Sequence, residues 1–367
     1  MNKLEHEDNP SVSIERSNYS NIDLKSLLSP LGGIKNFIES GEKVLIKVNL
    51  LNASIPEKAV VTHPNLIKSV AKEVLEAGGI PYIGDSPSGQ FSKRRLDKVY
   101  ERAGLIELAN KLGIELNYNT RSTKMKIPEG IRLNKAPICD FIRDADKIIA
   151  LPKLKTHSFM IMTLATKIMY GAIPGLTKAR YHSIFFKKDS FADMLLDILT
   201  IVEPDLVIMD GIVGMEGDGP FSGMPIDLNL LLASEDSVAI DLAICKILDI
   251  NPIGVPTLKR ANVRNLWPKK NNYPLLKPKD VEYKGFKLPS TAGYILTGKK
   301  TPAKSPKPQD NCTGCGQCME ICPVNAIKII SKKASVDYSK CIRCYCCHEV
   351  CTESAIKLVV IKKKDNP

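Results

Sequence analysis

Two cysteine runs near the C-terminus restrict the folds open to this chain more than any other pattern in it. They read Cys312-x2-Cys315-x2-Cys318-x3-Cys322 and Cys341-x2-Cys344-x2-Cys347-x3-Cys351. Three thiolates placed every third residue on a tight loop can reach three corners of one cubane iron–sulfur cluster, whereas the fourth cysteine of each run points away and ligates the other cluster. The spacing therefore predicts two [4Fe-4S] clusters.

On this rule cluster I is held by Cys312, Cys315, Cys318 and Cys351, and cluster II is held by Cys322, Cys341, Cys344 and Cys347. Structural zinc is the alternative, although zinc sites use more widely separated cysteine pairs. Cys346 is an additional thiol that could compete with Cys347 as a cluster ligand, although Cys347 has the better spacing to Cys344 and Cys351. Thr352 stands where the first run has Pro323.

The two runs are also an internal repeat. Cys312 and Cys341 are 29 residues apart, as are Asn325 and Ser354, which open the matching segments NAIK and SAIK. Apolar stretches follow each run, at 327–330 and 356–361, and we expect them to pair with each other as strands over the clusters. Residues 311–367 are predicted to form a small α+β, ferredoxin-like domain with two clusters.

The charge of the chain argues for anionic partners. Its formal net charge is +12, and two cubane clusters held by thiolates would lower it to about +8. Lysines are scattered, and no arginine-rich patch with interleaved aromatic residues appears, which argues against nucleic acid. We expect a small anionic substrate or an acidic redox partner protein; the sequence leaves the oligomeric state open.

The sequence shows neither a secretory leader nor a run of eighteen apolar residues, so we expect no membrane segment and a cytoplasmic location. The predicted domains are a polar N-terminal segment (1–30), an α/β domain (31–296), a linker rich in Lys and Pro (297–310) and the cluster domain (311–367). The segment 251–290, with the single tryptophan Trp267, has no predicted role beyond packing.

Short apolar runs alternate with helical periods between residues 41 and 250. Strands are predicted at 44–48, 80–83, 114–118, 147–151, 206–209 and 228–232, and helices at 64–77, 95–112, 163–170, 191–202 and 237–248. This alternation predicts an α/β fold, a parallel or mixed sheet with helices on both faces.

In open α/β sheets, ligands bind beyond the carboxyl ends of the strands, so the polar residues found there are the candidate site. We predict catalytic roles for Lys155, His157 and Asp210, and substrate binding by Lys47, Asn49, His63, Asp85, Lys153 and His182. Lys153 and Lys155 would clamp an anion from one face of an extended segment, and His157 would handle protons. Alternatively, the lysines are solvated and His157, His63 and the aspartates only cap helices.

Other candidates carry weaker signals. His182 is expected in a polar loop after residues 171–175, closing over an anion. The glycines of Gly211-x2-Gly214-x2-Gly217-x-Gly219 suggest an anion loop, but the pattern matches neither a dinucleotide nor a Walker motif. His348 is expected to cover a cluster. Cys139 and Cys245 are interpreted as buried structural thiols.

Seven segments together resemble the iron–sulfur family known as domain of unknown function 362, from about residue 40 to the end. They are VLIKVNLL (44–51), VTHPNLI (61–67), GDSPSG (84–89), PKLKTH (152–157), KIMYGAIPG (167–175), VIMDGIVGMEGDGP (207–220) and CIRCYCCHEVC (341–351). The resemblance implies the two-domain layout and two clusters, but no settled reaction. The first strand–helix–strand unit also resembles the amino-terminal domain of lactate racemase-like proteins, which use a nickel-pincer cofactor.

The leading hypothesis is an oxidoreductase in which low-potential electrons pass through the two clusters to a small anionic substrate or cofactor at the α/β domain. A second hypothesis is an electron carrier or accessory protein that docks to a partner enzyme. A third is a non-redox enzyme with another metal cofactor.

Overall fold

The computed structural model describes residues 9–293 and 302–361. Its strands are β1 (Ser13–Arg16), β2 (Lys43–Val48), β3 (Ile80–Gly84), β4 (Glu115–Leu116), β5 (Ser122–Lys126), β6 (Lys135–Cys139), β7 (Lys147–Leu151), β8 (Lys153–His157), β9 (Ile161–Met162), β10 (Leu206–Glu216), β11 (Met224–Ser234), β12 (Ser305–Pro308), β13 (Ile327–Ile330), β14 (Lys333–Val336) and β15 (Ile356–Val359).

The α-helices are α1 (Leu24–Leu28), α2 (Pro64–Glu76), α3 (Lys93–Arg102), α4 (Leu105–Leu112), α5 (Asp140–Arg143), α6 (Gly175–Ile184), α7 (Lys188–Leu199), α8 (Ser237–Ile247), α9 (Pro256–Val263), α10 (Gln317–Glu320) and α11 (Cys346–Val350). A 3-10 helix at Ile168–Ala172 precedes α6. Within the described residues, no helix combines the length and apolar character needed to span a bilayer.

The main sheet is mixed, as the sequence predicts. Its strand order is β1-β11-β10-β7-β2-β3-β4. β10, β7, β2, β3 and β4 are parallel. β11 runs antiparallel to β10, and β1 at the edge of the sheet runs antiparallel to β11. β8 continues the chain beyond β7 and also pairs with β10. The carboxyl ends of the parallel strands therefore meet at one rim, which β8 crosses.

Helices cover both faces of this sheet, because alternate strand residues point to opposite sides. Val44, Ile46 and Val48 of β2 pack with α1 to α4 in one apolar core. Leu45 of the same strand packs in the other core, with α5 to α9. The predicted α/β architecture with two covered faces is confirmed.

The predicted N-terminal boundary is wrong, because the chain from residue 13 onward is part of the α/β domain. β1 pairs antiparallel with β11 at the edge of the sheet. Val12 and Ile14 are fully buried, so this short segment joins the core despite its polar neighbours. Residues 1–8 of the predicted N-terminal segment lie outside the described residues.

Three local predictions need correction. The single helix predicted at 95–112 is two helices, α3 and α4, because Gly104 takes a left-handed conformation between them. The helix predicted at 163–170 is a turn followed by the 3-10 helix. Leu164 has a positive φ of 49°, and the Asp241 carboxylate accepts hydrogen bonds from the backbone N–H groups of Ala165 and Thr166. The polar loop predicted around His182 is helix α6, in which His182 is buried.

The apolar stretches of the cluster domain do not pair with each other as predicted. β13 forms a hairpin with β14, since Ser331 and Lys332 between them adopt the positive φ angles of a tight hairpin turn. β15 pairs with β12, which lies at 305–308 in the predicted linker. The cluster domain thus begins earlier than expected, and residues 297–301 of the linker lie outside the described residues.

The segment 251–290 packs on the α/β domain. Trp267 contacts its core, and the Trp267 Nε1–H group donates a hydrogen bond to the Leu258 carbonyl at 2.8 Å. This agrees with the limited role expected for the segment.

Candidate functional site

The eight predicted cluster ligands line two separate cavities in the grouping that the spacing predicts. One cavity is lined by Cys312, Cys315, Cys318 and Cys351. The other is lined by Cys322, Cys341, Cys344 and Cys347, together with Cys346. Each cavity therefore takes three thiols from one run and one from the other.

Backbone donors to sulfur show that the donor set suits a cluster. The N–H group of Ala326 donates to Cys322 Sγ at 3.2 Å, and that of Ala355 donates to Cys351 Sγ at the same distance. These two bonds are equivalent in the internal repeat. Because such bonds stabilise cluster-bound thiolates and tune their potential, the residues present fit [4Fe-4S] ligation.

A pocket lies between the α/β domain and the cluster domain, and we term it the interdomain pocket. Its free volume is about 70 Å³. The polar side chains that line it are Asn49, Asp85, Ser86, Ser88, Thr163, Lys167, Tyr170, Lys178 and His182 from the α/β domain, with Cys346 and Glu349 from α11. Cys346 lines both this pocket and the second cysteine cavity. The pocket thus adjoins the predicted cluster II.

Four buried polar atoms that belong to residues of this pocket have no hydrogen-bond partner within the described structure. They are Asn49 Oδ1, Thr163 Oγ1, His182 Nδ1 and Glu349 Oε1. A buried polar atom without a partner costs about 1–3 kcal/mol, so such groups are rare in native proteins. Four of them around one pocket indicate that it is built to hold a polar ligand.

Two lysines give the pocket its positive charge. Burial lowers the pKa of Lys178 to about 8. Its ammonium group donates to the Ser86 carbonyl and, at 2.9 Å, to the Ser86 hydroxyl. Burial also lowers the pKa of Lys167, which lies over the Tyr170 ring at 5.4 Å from its centroid. Below pH 8 the pocket therefore carries cationic charge suited to an anion.

His182 stays neutral beside these lysines. Burial, and then the charge of Lys167, lowers its pKa to about 3. Its ring packs against Phe191 with centroids 4.3 Å apart. The predicted anion-binding histidine can therefore act as a neutral hydrogen-bonding group.

Asp85 lines the base of the pocket, where it forms a saturated ion pair with Lys47, a residue outside the lining. Lys47 Nζ lies 2.8 Å from Asp85 Oδ1. The Asp85 carboxylate also accepts from the backbone N–H groups of Leu50 and Ser86. Asp85 therefore ties the ends of β2 and β3 together.

Lys155 and His157 lie behind the pocket rather than on its lining. Burial lowers the pKa of Lys155 to about 7, and its ammonium group donates to the Val60 carbonyl at 2.6 Å. His157 Nδ1 accepts from the N–H groups of Phe159 and Met160, so the neutral ring carries its proton on Nε2. Nε2 faces Glu349 Oε1 at 3.4 Å, and burial raises the pKa of Glu349 to about 7.

The other predicted site residues form a separate closed cluster. Lys153 Nζ and Asp210 Oδ2 are 2.9 Å apart, and both side chains are 0% exposed. The Tyr19 hydroxyl donates to Asp210 at 2.7 Å, and the Tyr19 ring stacks on His63 at 3.6 Å. The backbone N–H group of His63 also donates to Asp210, and the His63 ring accepts from the Asn65 N–H group as a helix cap. This group is sealed by its own contacts. The capping alternative holds for His63, whereas Lys153 is buried in an ion pair rather than solvated.

The glycine pattern from Gly211 to Gly219 is not an anion loop. Gly211 and Gly214 lie within β10. The loop after this strand contacts the cluster domain instead, since the Asp218 carbonyl lies 3.1 Å from His348 Nε2. His348 Nδ1 lies 2.6 Å from the Ile356 carbonyl, so this histidine joins the two domains.

The remaining predicted thiols are buried as expected. Burial raises the pKa of Cys139 to about 12 and raises that of Cys245 as well.

Sequence reasoning assigned no site role to several polar residues of the pocket, among them Ser86, Thr163, Lys167, Lys178 and Glu349. Lys178 and His182 are four residues apart and share one face of α6, a spacing that points to a common site once the helix is recognised. Glu349 reaches the pocket only because the cluster domain packs on the α/β domain. This packing leaves no local pattern in the sequence from which Glu349 could be predicted.

Comparison with known proteins agrees with this arrangement. Residues 44–246 match the family described as "Domain of unknown function (DUF362)". The chain belongs to this family. Residues 307–328, which contain the first cysteine run, match the "4Fe-4S binding domain". This DUF362 protein therefore carries a [4Fe-4S] cluster-binding domain.

Two further proteins are similar to this DUF362 chain. The thylakoid-associated protein sll1697 of Synechocystis is 37% identical over 272 residues, which cover 72% of this chain and 82% of the relative. Among solved structures, the lactate racemase apoprotein from Thermoanaerobacterium thermosaccharolyticum matches with a TM-score of 0.41 and 14% identity. That match covers 63% of this chain and 55% of the racemase chain.

Proposed function

We propose that this protein is an oxidoreductase that holds two [4Fe-4S] clusters and passes electrons from them to a small anionic substrate in the interdomain pocket, which is reduced as the clusters are oxidised. The observation that carries the proposal is the pocket itself, in which cationic side chains and unpartnered polar atoms face α11. That helix carries the predicted cluster II ligand Cys347 and begins at Cys346. When bound, the clusters would supply single low-potential electrons.

The volume of the pocket limits the substrate. A cavity volume of about 70 Å³ is far below the roughly 300–1,000 Å³ of pockets that hold drug-sized ligands. It accepts an anion of a few non-hydrogen atoms, such as a one- or two-carbon carboxylate. Lys167 and Lys178 would hold the negative charge, and Asn49, Thr163 and His182 would complete the hydrogen bonds.

The catalytic residues predicted from sequence take revised roles in this proposal. His157 acts through Glu349 as a positioning residue, because its Nε2–H group faces that carboxyl group. Lys155 supports the wall of the pocket through the Val60 carbonyl. Lys153, His63 and Asp210 stabilise the strand ends and do not touch substrate.

Stopped-flow reoxidation of dithionite-reduced protein tests the proposal. Under anaerobic conditions, a panel of one- and two-carbon carboxylates is mixed with the reduced protein, and cluster absorbance is followed. We expect at least one carboxylate to accelerate reoxidation, and Lys178→Met to abolish the acceleration. The proposal fails if no carboxylate changes the rate, or if Lys178→Met responds as the wild type does.

An electron carrier that docks to a partner enzyme is the second candidate. Cys315 is exposed, so the predicted cluster I lies near the surface. The name of the relative, a thylakoid-associated protein, is also compatible with an accessory role. In this case a protein acceptor, and no small anion, would reoxidise the reduced chain, at a rate that falls with ionic strength.

A further inference from the structure

A second crevice lies between the two domains and adjoins the interdomain pocket. Its volume is about 320 Å³. The loop before α3 and the first turns of that helix form one wall, and the other wall includes Gln317 and Thr352, which are next to the predicted cluster I ligands Cys318 and Cys351. Ile321 and Val350 line both spaces and separate them.

Asn52 provides an unmet hydrogen-bonding group in this crevice. The residue is 2% exposed. Neither its Oδ1 nor its Nδ2 atom has a hydrogen-bond partner in the described structure. A buried carboxamide with both atoms unsatisfied is costly, and a ligand that donates and accepts here would remove that cost.

Positive charge surrounds the same space. Arg94, Arg95 and Lys98 line it. Arg95 Nε donates to the Ser88 carbonyl at 2.9 Å, which holds the guanidinium group in place. Within the described residues, Arg94 and Lys98 make no ion pair. The one carboxylate on the lining, Glu320, interacts electrostatically with Arg95.

The N-terminus of α3 adds backbone donors. Its N-cap residue Ser92 makes no side-chain capping hydrogen bond. The first N–H groups of a helix have no intrahelical acceptor, and the helix dipole favours an anion at this end. A phosphate group can occupy such a position and use donors that the chain leaves free.

We propose that this crevice binds the phosphate group of a small phosphorylated ligand. Arginine side chains match phosphate oxygens in a fork-like geometry, and several cations together with backbone N–H groups suit a dianion better than a single carboxylate. The volume leaves room for an organic part that reaches the Asn52 carboxamide. The ligand would bridge the two domains at a site separate from the proposed substrate pocket.

Isothermal titration calorimetry on the anaerobic, cluster-loaded full chain tests this site, with inorganic phosphate, glycerol phosphate and acetate at constant ionic strength. We expect the double variant Arg94→Ala/Lys98→Ala to bind both phosphates at least tenfold more weakly. Asn52→Ala should weaken the binding of glycerol phosphate and leave the binding of inorganic phosphate unchanged. The matched control Lys68→Ala/Lys72→Ala removes two exposed lysines from α2 and should bind as the wild type does.

The proposal would be overturned if the crevice variant and the α2 control lost phosphate affinity equally, because equal losses would indicate a general attraction between the anion and a basic protein. Absence of phosphate binding would overturn it as well, and so would acetate binding that the double variant Arg94→Ala/Lys98→Ala weakens to the same degree. Lys178→Met separates this site from the proposed function. That variant should leave phosphate affinity unchanged even where it abolishes reoxidation by carboxylates.

Discussion

Residues that looked alike in the sequence divide into two groups in the fold. Asp85 and Asp210 each follow a strand predicted from the sequence and invite a catalytic interpretation, yet both accept several short hydrogen bonds from nearby donors, and Asp210 lies within β10. Asn49 and His182 keep buried polar atoms without partners. A satisfied group stabilises the fold, whereas an unsatisfied one is available to a ligand.

The first prediction concerns the charge of Lys178. Lys178→Met keeps a side chain of similar length and removes the ammonium group. We expect the affinity for the small carboxylate identified by reoxidation to fall at least tenfold, since the anion loses a partner in a desolvated pocket. Calorimetric titration with that carboxylate measures the change. Lys187→Met, an exposed lysine after α6, is the matched control; unchanged affinity in Lys178→Met would contradict the assignment.

The second prediction concerns pH. Burial lowers the pKa of Lys178 from 10.5 to about 8; Asp85 and Cys139 raise it, whereas Lys47 and Lys167 lower it further. Only the protonated form attracts an anion, so the contribution of Lys178 to carboxylate affinity should be lost as pH rises through about 8. Calorimetric titrations between pH 6.5 and about 9.5 measure this.

The lowered pKa of Lys178 also affects the stability of the fold. Rising pH weakens anion binding through this residue, but it increases the free energy of unfolding. Between pH about 8 and 10.5 the unfolded chain keeps the Lys178 proton and the folded chain loses it. The unfolded state then binds more protons, so this residue makes the free energy of unfolding increase with pH in that window. Urea unfolding at several pH values should show a smaller increase in this window in Lys178→Met than in the wild type, because the other buried lysines still contribute; identical profiles in the two proteins would refute the shift.

At the level of elements, periodicity predicted the strands better than the helices around the site. The strands at 44–48 and 147–151 are continuous apolar runs, and such runs are typical of buried parallel strands. The helix predicted at 163–170 is wrong because the turn found there depends on hydrogen bonds to Asp241, which is far away in the sequence. α6 was missed because its polar residues Lys178 and His182 are buried towards the other domain, so it lacks the amphipathic pattern of a surface helix.

The third prediction tests how closely the 3-10 helix approaches the base of the pocket. A Cβ atom at Gly171 would collide with the Lys47 ammonium group and the Asp85 carboxylate. We expect Gly171→Ala to lower the free energy of unfolding by about 1–3 kcal/mol, as overpacking does. Urea denaturation of the full chain gives the value, and a stability within error of the wild type would show that the segment is less tightly packed than described.

For the whole molecule, the cysteine spacing predicted the grouping of the ligands but not how the module sits on the sheet. The α/β domain and the cluster domain meet through His348, Glu349 and the loop at Asp218. No local pattern in either domain encodes this contact, because it depends on surfaces that form only after each part folds. The interdomain pocket, to which both domains contribute, was therefore beyond sequence reasoning.

The fourth prediction follows from ligands that cross between the two runs. Cys351→Ala changes the second run but should remove cluster I, leaving about half of the iron. Cys346→Ala should keep the full iron content, because Cys347 has the ligand spacing. Iron and sulfide analysis of anaerobically purified variants measures both. If Cys346→Ala lost iron and Cys347→Ala kept it, Cys346 rather than Cys347 would be the ligand of cluster II.

Electron paramagnetic resonance of the dithionite-reduced, anaerobically purified chain tests the central proposal most directly, when recorded with and without a saturating small carboxylate. We predict iron and sulfide for two cubane clusters and two interacting reduced signals. The carboxylate should change one of these signals in the wild type and not in Lys178→Met. A redox site at the interdomain pocket would be contradicted by zinc in place of iron, by the absence of a paramagnetic signal after reduction, or by spectra that no carboxylate alters.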